Sequence, residues 1–94
     1  MSKYIGGTMN DVWNALADKT RRTILAMLRK DDMTAGEIAE NFNMSKPSVS
    51  HHLGILKNAG LVTCEKNGQH LIYSVNMTVF QELIELVVAM GDKE

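Results

Sequence analysis

Two helix-starting signatures, Thr34-Ala35-Gly36-Glu37 and Ser45-Lys46-Pro47-Ser48, constrain this chain more than any other feature. In the first, the threonine hydroxyl accepts from the third helical N–H and the glutamate carboxylate accepts from the N–H of the cap itself, so a helix starts at Ala35. In the second, Ser45 is the cap and Pro47 stands in the first turn, where its missing N–H is harmless and its fixed φ suits a helix. The earlier helix runs only to about Phe42, because Asn43 and the new cap interrupt it, and Ile38, Ala39 and Phe42 form its apolar stripe. The later one carries Val49, Leu53, Leu56 and Gly60 at spacings of four, three and four, which stack on one side. Its opposite side collects Lys46, Ser48, Ser50, His51, Ile55 and Asn58.

A short helix, a link of about three residues and a second helix with a polar leading face make a helix-turn-helix, whose second helix can enter a DNA major groove. Periodicity alone would serve equally well for a helical hairpin inside a core.

The flanking segments extend the pattern. Residues 1–8 are Gly-rich and expected to fray, although Tyr4 and Ile5 could dock on something. Asn10 can cap a helix through Ala17 that carries Val12, Trp13 and Leu16, and Asp18 can cap another over Lys19–Lys30 with Ile24, Leu25 and Leu28 inward. Arg21 and Arg22 stand at the start of that second helix, against its dipole. Two explanations remain open, a DNA phosphate contact or a surface ion pair with Asp18 or another carboxylate. After Gly60, LVTCEKNGQHLIYSV centres on Asn67-Gly68, a two-residue hairpin signal. Counting outward pairs Lys66 with Gln69, Glu65 with His70, Cys64 with Leu71, Thr63 with Ile72 and Val62 with Tyr73, leaving Val62, Cys64, Leu71, Tyr73 and Val75 on one apolar face. The hairpin, residues 62–76, is a wing whose polar tip could lie along DNA or simply face solvent.

Asn76 can cap a last helix over residues 77–90, whose Val79, Phe80, Leu83, Ile84, Leu86, Val87, Val88 and Met90 exceed a single stripe. Together with Val12, Trp13 and Leu16, the positions Val79, Phe80, Leu83, Val87 and Met90 are more than a small core can cover. A second copy of the chain is expected to bury them; a helix sunk in its own core is the alternative.

Bulk properties set limits around this scheme. The 94 residues suffice for one domain. The lone Cys64 forbids an internal disulfide and suits a reducing compartment, and no stretch has the length of a membrane span or the pattern of a signal peptide, so a cytoplasmic protein is expected. The net charge of −1 is uneven: residues 45–76 set Lys46, Lys57 and Lys66 against Glu65, while residues 77–94 set Lys93 against Glu82, Glu85, Asp92 and Glu94. Local cations are what phosphate contacts need, so the balance permits DNA binding. Ser50, His51 and Cys64 form no nucleophile, base and acid arrangement, so an enzyme is not expected.

From about Asn10 to Val75 the chain resembles the ArsR/SmtB family of bacterial winged-helix repressors. ALADKTRRTILAMLRK is similar to its second-helix signature, SKPSVSHHLGILKNAGLV to its recognition helix and exit, and NGQHLIYSV to its wing. MTAGEIAENFNMSKPSVSHHLGILK resembles the SdpR-type autorepressors within it. The resemblance implies a mainly α fold with a small β-hairpin, in the order α-α-α-α-β-β-α, and a homodimer paired through its first and last helices on an inverted-repeat operator. It further implies Lys46, Ser48, Ser50 and His51 in the groove, Arg21 or Arg22 on the backbone, and Lys66, Asn67 and Gln69 at the wing contact, with an inducer or protein antagonist as a further partner. Lys19 stands where the family usually has proline, and Gln69 where the wing usually has arginine, which weakens the wing contact.

The family is best known for metal sensing. Here the third-helix segment Glu37-Ile38-Ala39-Glu40-Asn41-Phe42 has no thiol and the last helix no histidine, so no metal and no cofactor are expected. His51 and His52 point about 100° apart and do not chelate together. His52 lies at the core edge, as a structural histidine. A winged-helix protein-interaction module, acting through a partner protein, is the alternative function.

Overall fold

The computed structural model describes residues 8–91. Seven elements follow one another: α1 (Met9–Ala17), α2 (Lys19–Lys30), α3 (Ala35–Phe42), α4 (Lys46–Asn58), β1 (Val62–Asn67), β2 (His70–Val75) and α5 (Met77–Gly91). This is the expected α-α-α-α-β-β-α order. The fraying expected over residues 1–8 lies, apart from Thr8, outside the described residues.

The caps explain the helix starts. Asp18 accepts from the Arg21 N–H, Thr34 and Glu37 close the capping box of α3, and Ser45 accepts from the Ser48 N–H. The start of α1 differs from expectation. Thr8, not Asn10, is its cap, because Thr8 and Asp11 bond reciprocally and satisfy two end donors where Asn10 would satisfy one. Between α3 and α4 the chain reverses through Asn43 at φ 54°, a left-handed conformation that asparagine tolerates. Gly60, at φ 83°, ends α4: its N–H donates to Lys57 O and the Leu61 N–H to Leu56 O, which turns the chain into β1.

The inward stripes meet in one core. Val12, Ile24, Ile38, Val49, Leu53, Leu56, Leu61 and Val79 are fully buried, each contributing about 1.5–3 kcal/mol of transfer free energy before entropy is charged against it. The stripe expected on α4 is therefore the buried one, and α4 is held by α1, α2, α3 and β1 around it.

The hairpin register needs correction. The loop is Gly68-Gln69, and the pairs are Asn67↔His70, Lys66↔Leu71, Glu65↔Ile72, Cys64↔Tyr73, Thr63↔Ser74 and Val62↔Val75. Each β1 residue thus meets a partner two positions beyond the expected one, which preserves the faces because side chains alternate with period two. The reason lies in the turn. Gly68 alone has positive φ (65°), the pattern of a II′ turn with glycine first, whereas an Asn67-Gly68 loop of type I′ would need both positive. The register is also anchored at the other end: Tyr73 N–H donates to Met33 O at 2.8 Å and Met33 N–H to Tyr73 O at 3.1 Å. A one-residue third strand at Met33, invisible in the sequence pattern, so clamps β2. Leu71, expected on the apolar face, reaches beyond the core and is half exposed.

The terminal helices need a second correction. Val12, Val79 and Leu83, expected between two copies, lie in the core of the single chain. Leu16 and Phe80 are partly buried against that core, with the Arg29 guanidinium 5.4 Å from the Phe80 ring centre. Trp13, Val87 and Met90 are exposed, as are Ile84, Leu86 and Val88.

Candidate nucleic-acid interface

The outer side of α4 is polar and free of carboxylates, since no Asp or Glu occurs between Ser45 and Asn58. Lys46, Ser48, Ser50 and His51 are all exposed there. Ser48 is also tied into the cap, with its hydroxyl 2.9 Å from that of Ser45, so the leading turn is stiffened where the helix would meet a ligand. The wing adds Lys66, Asn67 and Gln69, all exposed. An open groove of about 380 Å³ lies between these parts, lined by Thr34 and Gly36 of the α3 start, Lys46 and Ser50 of α4, and Gln69 and His70 of the wing. Of the expected helix and wing residues, Lys46, Ser50 and Gln69 meet along this cleft, while Ser48, His51, Lys66 and Asn67 are exposed outside its lining. His70 was missed as a member of it, because its neighbours come from across the fold.

Charge polarises the molecule about α3. That groove has no acidic lining, whereas Asp31, Asp32, Glu37 and Glu40 line another open depression. A polyanion would be steered away from the second and towards the first.

The two arginines of α2 have a use that neither open explanation named. The last carbonyls of a helix lack intrahelical partners, and α1 has no basic residue in its own last turn. Arg21 supplies the donors: Nε to Ala15 O at 2.9 Å and Nη2 to Asn14 O at 3.0 Å, while Arg22 Nη1 donates to Leu16 O at 2.8 Å. The pair thus opposes the dipole of α2 but complements the C-terminal end of α1. Arg21 is only 8% exposed, so the expected phosphate contact is withdrawn for it; Arg22 remains on the surface. The third Arg21 nitrogen, Nη1, lies 3.2 Å from His52 Nδ1, which makes His52 the hydrogen-bonded structural histidine expected at the core edge.

Two environments shift ionisation. Hydrogen bonding from the Arg21 N–H, then the nearby Arg21 charge, holds the Asp18 carboxyl below its ordinary value. On the inner face of the hairpin, burial and then the hydrogen bond with Cys64 push the Tyr73 hydroxyl up. Among the described residues, no three of His, Cys, Asp and Glu converge as a metal site would require, and no helix is long and apolar enough to cross a membrane.

Five helices and a hairpin wing, with α4 as the exposed, carboxylate-free second helix of a helix-turn-helix, define the class: a winged helix-turn-helix protein. Residues 18–63 match the family model for the bacterial regulatory proteins of the arsR family. The chain is 55% identical to the transcriptional repressor SdpR of Bacillus subtilis over 90% of its own length and 94% of that relative. It belongs to the ArsR family. Among solved structures, an ArsR-like transcriptional regulator from Rhodococcus superposes with a TM-score of 0.80 at 28% identity, covering 88% of this chain and 76% of that one. The homodimeric winged helix-turn-helix DNA-binding domain of a possible ArsR-family regulator from Mycobacterium bovis does so with 0.76 at 28% identity, over 89% and 78%.

Proposed function

We propose that this chain is a homodimeric transcriptional repressor that binds an inverted-repeat operator in double-stranded DNA, including one beside its own gene, within the cytoplasm. The observation that carries this is the outer face of α4: Lys46, Ser48, Ser50 and His51 exposed together, with no carboxylate on the helix and the wing alongside. Residues 35–60 act as the reading unit and residues 62–76 as the wing. Ser48, Ser50 and His51 meet base edges, while Lys46, Arg22 and the tip of Lys66, Asn67 and Gln69 meet phosphates. Helices α1 and α5 pair two copies through Trp13, Val87 and Met90, with the partly buried Leu16 and Phe80 at the margin. A two-fold pairing spaces the two α4 helices by about one DNA turn, roughly 34 Å, so both halves of a palindrome are read by the same residues. The role is binding without catalysis, relieved by an inducer or a protein antagonist.

Salt titration tests it. With two or three phosphate contacts per subunit, the plot of log affinity against log salt for a duplex enriched from a random pool should fall with a slope of roughly −3 to −6. Binding that ignores salt, or the absence of any enriched duplex, would defeat this reading. The exposed apolar length of α5 favours a second one, a module that docks a partner protein, and apolar docking changes little with salt.

A further inference from the structure

Among the described residues Arg21 is the one charged side chain that is buried, and it joins three helices. From α2 it reaches the Asn14 and Ala15 carbonyls at the end of α1 and the Nδ1 of His52 on α4. An arginine only donates, so Nδ1 must accept, which makes the imidazole neutral with its proton on Nε2. His52 directly precedes Leu53 of the core and follows His51, whose ring centre lies 5.8 Å from its own. The Arg21 to His52 contact is therefore a latch between the end of α1 and the leading half of α4, one residue from the surface that meets DNA.

We infer that His52 is a positioning residue: through Arg21 it sets the seat of α4 against α1, and it does so only while Nδ1 is unprotonated. The inference rests on the DNA-binding role proposed above. Because α1 belongs to the proposed pairing of two copies, its end is the reference against which each reading helix must be placed. A shift of about 1 Å there is enough to spoil contacts that depend on directed hydrogen bonds. Protonation would place an N–H opposite a guanidinium that cannot accept, turning the bond into a repulsion. The charged and titratable groups that face His52 are Arg21 and Asp18 from α2 and His51 from α4, while α1 presents the backbone carbonyls that hold Arg21. Asp18 and Arg21 set opposite charges beside the imidazole, and a proton on Nδ1 would turn its contact with Arg21 from a hydrogen bond into a repulsion.

Three forms of the protein test this, the parent, His52→Leu without an acceptor, and His52→Asn, which keeps one near Nδ1 but does not titrate. The probe is a duplex enriched from a random pool by the parent at about pH 8, compared with a scrambled duplex, and the readout is the ratio of the two affinities. His52→Leu should lower that ratio about tenfold while binding the scrambled duplex within about twofold of the parent, since phosphate contacts are untouched. His52→Asn should hold the ratio within about threefold. On lowering to about pH 5.5 the parent's ratio should fall towards that of His52→Leu while that of His52→Asn does not. His51 and His70 are present in both proteins, so the difference isolates His52. An unchanged ratio in His52→Leu, or parallel pH profiles for parent and His52→Asn, would overturn the inference while leaving the DNA role standing. If His52→Leu does not fold, the parent and His52→Asn profiles decide alone. Failure of the parent to enrich any duplex would remove the DNA role and this inference with it.

Discussion

Helices α4 and α5 differ both in how much apolar residue they carry, four of 13 positions in α4 against ten of 15 in α5, and in where they place it. In α4 the apolar side is wholly spent on the core, and what remains outside is hydroxyls, amides, imidazole and cations. In α5 the turn angle of about 100° per residue sets Val79, Leu83, Leu86 and Met90 on one stripe and Met77, Phe80, Ile84, Val87 and Val88 on a second. Only Val79 and Leu83 of these nine are buried, so the first stripe outruns the core after Leu83 and the second barely touches it. Thr78, Gln81, Glu82 and Glu85 occupy the remaining arc. One helix thus ends in a surface suited to a hydrated polyanion, the other in a surface that water solvates poorly and a second apolar surface would cover. The contrast teaches that exposure is not one property. It separates a face that waits for charge from a face that waits for area.

The largest effects should come from cutting α5 on either side of its point of departure from the core. Leu83, 7% exposed, belongs to the core, and Val87, four residues later and 53% exposed, does not. Leu83→Ala should cost about 2–5 kcal/mol of folding stability, read as a lower denaturant midpoint. Val87→Asp should leave the folded protomer within about 0.5 kcal/mol, but puts two unpaired carboxylates in the proposed seam. A loss of at least about 3 kcal/mol, some hundredfold in the dimer dissociation constant, is expected, with operator binding lost in parallel. A Val87→Asp protein that stays dimeric by light scattering would show that the second apolar stripe is not where copies meet, and the contrast between the helices would lose its meaning.

Smaller effects belong to α4. His51→Ala should weaken the enriched duplex by about 1–3 kcal/mol without altering the midpoint of unfolding, because the ring is exposed and supports no core contact. Lys46→Ala should weaken enriched and scrambled duplexes alike and lower the salt slope by about one. Equal losses on both duplexes for His51→Ala would reassign it from base to backbone.

Legibility in the sequence followed the same division. Ser45, Thr34, Glu37 and Asp18 act on neighbours within one turn, so their helices could be placed from local chemistry alone, and the stripe of Val49, Leu53 and Leu56 needs only the helical period. The hairpin shift arose because Asn67-Gly68 and Gly68-Gln69 are both sound turns, and the choice between them shows only in the backbone, where Gly68 has positive φ and Asn67 does not. Arg21 was misjudged for a related reason: its partners, Asn14, Ala15 and His52, come from two other helices, and no periodicity announces a guanidinium turned inward. Val12, Val79 and Leu83 were assigned to the seam because a count of apolar positions gives an excess without saying which members form it. Their burial answers that only once the packing is known.

Acid should weaken the junction of α1 and α2, where Asp18 caps α2. Asp18 is held below its ordinary 3.8 by the Arg21 N–H it caps, and a depressed carboxyl stabilises the fold while ionised. Its contribution is intact above 3.8 and is lost as pH falls through the lowered folded value. Asparagine caps nearly as well and does not titrate. The melting temperature of the parent should therefore drop more steeply than that of Asp18→Asn between about pH 5 and about pH 3. Parallel curves would detach this cap from the acid response.

The smallest effect expected is none, from metal. A transition-metal switch needs soft or imidazole ligands brought to one point, and the two contrasted surfaces offer them separately or not at all. The α3 segment from Glu37 to Phe42 holds no thiol, and α5 holds no histidine. On α4, His52 has its Nδ1 against Arg21, while His51 projects elsewhere on the helix. Cys64 pairs with Tyr73 on the inner face of the hairpin, and His70 stands on the opposite face opposite Asn67. Among the described residues no three such groups converge on one point, so one chain supplies no complete ligand set. Saturating zinc or a chelator should accordingly leave light scattering and affinity for the enriched duplex unchanged within about twofold, and purified protein should carry no stoichiometric metal. One tightly held equivalent of zinc, with DNA binding about tenfold weaker when it is loaded, would mean that two copies supply together the ligands that one chain keeps apart.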